Sequence, residues 1–168
     1  DLGQEADDLG GLIERRIAHL TDYQDSAYAA RYGALVKRVD ETERALRGEE
    51  GELTRAAALS LHRLMAFKDE YEVARLYTKG GFLDEVREKF EGPIALNFHL
   101  APPFLPRGAN GRRKRKFGQW FMGPMRLLAA MKGLRGTMLD PFARQEERRA
   151  ERRLIGEFES DLEEILTG

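Results

Sequence analysis

Apolar and polar positions along this chain follow two different periods, and the change of period marks its architecture. From residue 9 to 47 apolar side chains recur every three or four residues: Leu9, Leu12, Ile13, Ile17 and Leu20, then Ala27, Tyr32, Leu35, Val36 and Val39. That spacing gathers them on one stripe of an α-helix. Thr21 and Gln24 stand at capping-box spacing, so either a second helix restarts there or one long helix kinks. Gly48 to Gly51, with Glu49 and Glu50 between, reads as a turn. The spacing predicts a further helical stretch from Leu53 to about Tyr77. It turns Ala57, Leu61, Leu64, Met65, Ala74 and Leu76 inward with Tyr71 beside them, and breaks where Lys68, Asp69, Glu70 and Glu72 crowd together. Gly80-Gly81 closes this stretch, because glycine accepts the left-handed backbone that ends many helices. Phe82 to Phe90 makes a short helix burying Phe82, Leu83, Val86 and Phe90, and Gly92-Pro93 stops it.

The period then falls to two. Ile94, Leu96, Phe98 and Leu100 alternate with Ala95, Asn97, His99 and Ala101, the signature of a half-buried strand. Pro102 and Pro103 end the pairing, since proline has no N–H to give a ladder. Gly108 to Gly111 is turn chemistry, and residues 112–117 return as the second strand. Helical spacing resumes over Trp120 to Met131 with Phe121, Met125, Leu127, Leu128 and Met131. Gly133, Gly136 and Asp140-Pro141 punctuate a turn region. Residues 143–167 form a last helix with Leu154, Ile155, Phe158, Leu162, Ile165 and Leu166 on one face. The fold class expected is therefore mainly α. One bundle-like domain over residues 1–168 carries a single small antiparallel β-hairpin, about 94–101 with 112–117, lying on the helices.

Composition narrows the picture. The 168 residues suffice for one real core, and 42% apolar with 34% charged residues suits amphipathic helices with a charged surface. No run of about eighteen apolar residues occurs, so no membrane span is expected. The chain opens on Asp1 without an initiator Met, and no signal peptide precedes the first helix. It reads as a processed product or an excised C-terminal piece of a longer, cytoplasmic protein. It has no cysteine, which excludes disulfides, thiolate zinc sites and cysteine-ligated iron–sulfur clusters within the segment.

The net charge of -1 hides a segregation. Residues 1–106 carry 14 basic and 20 acidic side chains, residues 107–153 carry 14 and 4, and residues 154–168 carry 5 acidic and none basic. A cationic block in the middle calls for an acidic partner, internal or external. Its densest part is Arg112-Arg113-Lys114-Arg115-Lys116. These five read either as a strand edge blunted by charge against aggregation or as a docking strip for an anion, an acidic protein or nucleic acid. Asn97 and His99 share the polar face of the first strand. Together with Pro102 and Pro103 they are candidates for contact with a neighbouring domain. His19, His62 and His99 are far apart in sequence with no ligand spacing between them, so no metal site is expected. Lys68–Glu72 and Glu72–Arg75 stand at helical ion-pair spacing. No phosphate loop, dinucleotide fingerprint or nucleophile elbow occurs, and no catalytic residue is assigned.

Four strings, in order, carry a family resemblance: Leu20-Thr21-x-Tyr23-Gln24-Asp25-x-Ala27-Tyr28-Ala29; Leu64-Met65-Ala66-x-Lys68-Asp69-Glu70-Tyr71-Glu72-Val73-Ala74-Arg75-Leu76-Tyr77; Phe98-His99-Leu100-Ala101-Pro102-Pro103; and Leu134-Arg135-Gly136-Thr137-x-Leu139-Asp140-Pro141-Phe142. Together they resemble the C-terminal region of the fused bacterial indolepyruvate ferredoxin oxidoreductases, from about Leu12 to the end. The resemblance implies a parent that oxidatively decarboxylates arylpyruvates to acyl-CoA with thiamine diphosphate, iron–sulfur clusters, coenzyme A and ferredoxin. Those cofactors would sit in other domains, and none is expected in this segment. Two readings follow. In the first the segment is a non-catalytic structural and interaction domain whose partners are other domains or subunits of the parent. In the second it is a docking module, its basic hairpin receiving acidic ferredoxin or the phosphates of coenzyme A. Nucleic acid ranks third, since the acidic flanks oppose a phosphate backbone.

Overall fold

The computed structural model describes residues 8–47, 51–79, 81, 86, 88–90, 92, 95–100 and 114–167. Six α-helices and one two-stranded antiparallel sheet are found among them: α1 (Leu9–Tyr23), α2 (Ser26–Arg47), α3 (Glu52–Met65), α4 (Glu70–Lys79), β1 (Phe98–Leu100), β2 (Arg115–Phe117), α5 (Met122–Ala130) and α6 (Glu146–Thr167). Short 3-10 turns, Gln119–Phe121 and Met131–Leu134, flank α5. The mainly helical fold with one small hairpin is the class that the two periods predict. No described helix is long and apolar enough to cross a membrane.

The chain divides into two compact units, Asp1–Phe67 with Ala143–Gly168, and Lys68–Phe142. In the first, α1, α2 and α3 pack pairwise and α6 closes on α2 and α3. Leu20, Tyr32, Val36, Val39, Leu61 and Met65 are fully or almost fully buried there, and Ile155 and Leu162 of α6 complete the cluster. Tyr32 can be buried because its hydroxyl donates to the Ala58 carbonyl at 3.1 Å. In the second unit α4 packs on α5, and Phe98 joins Ala74, Met122, Met125 and Ala129 in a smaller core. The hairpin pairs Phe98 with Phe117, His99 with Lys116 and Leu100 with Arg115.

Several boundaries move from the sequence expectation. The first two helices do part near Thr21, but the cap is Asp25, whose carboxylate accepts from the Tyr28 amide at 2.8 Å. Thr21 stays inside α1 and donates to the Ile17 carbonyl. Asp25 wins because a carboxylate is a stronger acceptor and suits the positive end of the helix dipole. The long stretch from Leu53 breaks between Met65 and Glu70, where the charges crowd. The strands are shorter than expected at three residues each; Ile94, Ala101 and residues 112 and 113 lie outside the described residues. So do Gly48 to Glu50, Phe82, Leu83 and the turn at 108–111. Leu76, Phe90, Leu127, Leu154 and Ile165 were expected inside and are exposed. Helical spacing alone makes the apolar stripe wider than the face a neighbour covers.

Candidate functional site

The candidate site lies in the second unit, where α4 meets the turn that follows α5. Asp69 begins α4, and its Oδ1 accepts from the Glu72 amide at 2.8 Å. The same carboxylate takes the Arg135 guanidinium through both oxygens, at 2.5 Å from Nε and 2.9 Å from Nη2. One turn on, Glu72 holds Arg75 in the same bidentate way, at 2.8 and 2.7 Å. Asp140 is the second hub. Its Oδ1 accepts from the Tyr71 hydroxyl at 3.0 Å and from the Phe142 amide at 2.9 Å, and its Oδ2 accepts from the Gly136 amide at 2.8 Å. Gly136 has φ +74, which a residue with a Cβ adopts only under strain; that backbone turns its N–H onto Asp140. Arg135 stands 5.3 Å over the Tyr71 ring, and Phe142 meets the ring edge-on at 5.2 Å.

Asp69, Glu72 and Asp140 are all buried, and buried carboxylates persist only where paired and hydrogen-bonded. Burial, the bond to Asp140 and the charges of Asp140 and Asp69 hold the Tyr71 hydroxyl far above its usual range, with Arg135 offsetting part of this. Tyr71 is therefore a fixed donor and supplies no phenolate. Chemically the cluster is a clasp that pins residues 134–142 on α4. Of the ion pairs expected here from local spacing, Glu72–Arg75 forms. Asp69 reaches 66 positions along the chain to Arg135, a partner no local rule names.

The hairpin presents its candidates outward. Asn97, His99, Lys114, Arg115 and Lys116 are exposed, while Pro102, Pro103, Arg112 and Arg113 lie outside the described residues. The alternation of the first strand holds, with Phe98 buried between Asn97 and His99.

Two polar features of the first unit escape the sequence reading. His62 of α3 and His19 of α1 face each other, with Nε2 of His62 3.1 Å from Nδ1 of His19. One nitrogen donates and the other accepts, so both rings share a single proton across the contact. Burial, helped by Arg16 and His19, pushes His62 down to about 4, so His62 is neutral at ordinary pH. The clue was His62 itself, which falls on the inward stripe between Ala58 and Met65. Glu43 likewise continues the stripe of Tyr32, Val36 and Val39. Its carboxylate accepts from the Leu53 amide at 3.1 Å, the Thr54 amide at 2.8 Å and the Thr54 hydroxyl at 2.7 Å, and so caps α3 from another helix. Burial raises the Glu43 carboxyl, but those bonds and Arg47 outweigh it and hold it below the usual range. A groove between α2 and α6 is lined by Arg31, Arg38, Glu159 and Glu163, but Arg31 pairs with Glu159 and Arg38 with Glu163. Among the described residues no three His, Cys, Asp or Glu side chains could hold a metal ion.

Comparison with known proteins gives one family. A model described as a family of unknown function, DUF6537, matches residues 9–168. No curated protein and no solved structure matches the chain.

Proposed function

We propose, for a chain that belongs to the DUF6537 family, that it serves as the non-catalytic C-terminal structural and interaction domain of an indolepyruvate ferredoxin oxidoreductase. One observation supports this above the rest. The polar side chains in two of the strings that carry the resemblance are engaged with one another: Asp69 with Arg135, and Tyr71 with Asp140. Residues used in this way brace a fold. A catalytic acid, base or nucleophile needs an open face toward a substrate. Thiamine diphosphate, the iron–sulfur clusters and coenzyme A belong to other domains in this reading. The 168-residue chain, given indolepyruvate, thiamine diphosphate, coenzyme A and oxidised ferredoxin, is expected to form no acyl-CoA. Co-expressed with a thiamine-diphosphate oxidoreductase encoded in the same genome, it is expected to co-purify with that enzyme. Acyl-CoA formation by the chain alone, or purification without the enzyme, removes the reading.

The exposure of Lys114, Arg115 and Lys116 favours a second reading, a docking strip for an acidic ferredoxin or for the phosphates of coenzyme A. Reversing Lys114 and Lys116 to Glu in the assembled enzyme is then expected to slow ferredoxin reduction at low salt, with the effect fading as salt rises. Unchanged kinetics at low salt discard it.

A further inference from the structure

Two exposed amphipathic faces of opposite charge lie on this chain, and we infer that each receives the other on a second copy of the same chain. The first is in the second unit. Trp120 and Leu127 are 68% and 65% exposed, seven positions apart. Two turns of helix bring such positions onto one side. Gly123 and Pro124, exposed between them, leave that side flat and apolar. Residues 114–139 carry six cations and no acid, and five of the six lie outside the buried Asp69–Arg135 pair. One of them, Arg126, is exposed on α5 itself. Arg115 springs from the same strand face as Phe117, which packs against Trp120 at 6.2 Å.

The second face is on α6, in the first unit. Leu154 and Ile165, 45% and 61% exposed, fall on one side of the helix beside the face that buries Ile155 and Leu162. Asp161 lies on that side between them, and Glu157 and Glu164 flank it, all three exposed. Residues 154–168 hold no cation at all. Glu159 and Glu163 of the same stretch are paired with Arg31 and Arg38 of α2, and Glu157 pairs with Arg153 one turn back, so Asp161 and Glu164 carry the outward field.

An exposed apolar centre rimmed by charge is the build of a protein interface, where tryptophan and arginine are enriched at the core. The sign of each rim fits the other. An extended polyanion, such as a bilayer or a nucleic acid, would also meet the rest of the chain, where 22 cations stand against 29 acids. A local acidic face of protein meets only the cationic patch. Each copy has both faces, so association can close as a twofold dimer or run head to tail. The inference asks nothing of the parent enzyme and stands or falls apart from the proposed function.

The test is sedimentation velocity on the 168-residue chain at about 50 mM and about 500 mM salt. Trp120 emission is followed in parallel; it is the chain's single tryptophan and so reports the face directly. The expected result is a concentration-dependent dimer or longer species at low salt, with a blue-shifted Trp120 and about tenfold weaker association at high salt. Arg115→Glu/Arg126→Glu is expected to be monomeric, and so is Asp161→Lys/Glu164→Lys. Mixed one to one, the two variants are expected to associate again, because every contact then regains opposite charges. Circular dichroism of each variant separates lost association from lost fold. Wild-type chain that stays monomeric, association indifferent to both reversals, or a mixture of monomers overturns the inference. So does a monomer whose Trp120 emission shifts on phosphatidylserine vesicles, which would give the face to a membrane.

Discussion

At the scale of single residues, the first unit depends on two buried titratable groups. Glu43 satisfies three donors at the start of α3. Glu43→Ala leaves the Leu53 and Thr54 amides without their acceptor, and a loss of about 2–3 kcal/mol is expected, read by urea denaturation. Gly51 is the complementary test, since a Cβ there would run into the Glu43 carboxylate. Gly51→Ala must displace that carboxylate and should therefore destabilise the chain in the same way, while adding nothing further in a Glu43→Ala background. His62 gives a pH dependence. Folded, it takes up a proton only near 4; unfolded, it does so near 6.5. Between those values the unfolded chain binds more protons. The stability due to neutral His62 is therefore complete above about 6.5 and is lost as pH falls toward about 4. The urea midpoint should drop over that window, and His62→Leu should flatten the drop. Glu43 acts in the same direction at lower pH, because its depressed carboxyl stabilises the fold until it is protonated.

At the scale of elements, the clasp joins α4 to the turn after α5 through one carboxylate with two duties. Asp69 both caps α4 and receives Arg135. Arg135→Met strands a buried charge, and a cost of about 3–5 kcal/mol is expected, because the desolvated carboxylate loses its counter-ion. Adding Asp69→Asn to that variant removes the charge and keeps a capping oxygen, so the double variant should cost clearly less than the sum of the two singles. A strictly additive cycle by denaturation would show that the pair is not coupled. Tyr71→Phe should cost only about 1 kcal/mol, since it removes one bond to Asp140 and leaves the backbone donors in place.

At the scale of the whole molecule, the first unit is discontinuous in sequence. Its core needs Ile155 and Leu162, which arrive only after the 75 residues of Lys68–Phe142. Leu162→Ala removes side-chain volume from that seam, and a loss of about 2–5 kcal/mol is expected in the unfolding of the first unit. The surface replacement Ile165→Ala, on the same helix, should cost well under 1 kcal/mol. Comparison of the two by helical circular dichroism in urea checks the assignment of the buried face.

The sequence by itself determined the helices, the single hairpin, the break at Lys68–Glu70 and the Glu72–Arg75 pair. Each follows from backbone periods, caps and ion-pair spacings that act within a few residues. Only the tertiary structure decided that Asp69 meets Arg135, that His19 meets His62, that Glu43 caps α3, and that Leu127 and Ile165 stay outside while other members of the same apolar sets go in. Those outcomes depend on which helix faces are laid together. A local pattern says which side of a helix is apolar, but burial and long-range pairing are set by the neighbour that arrives.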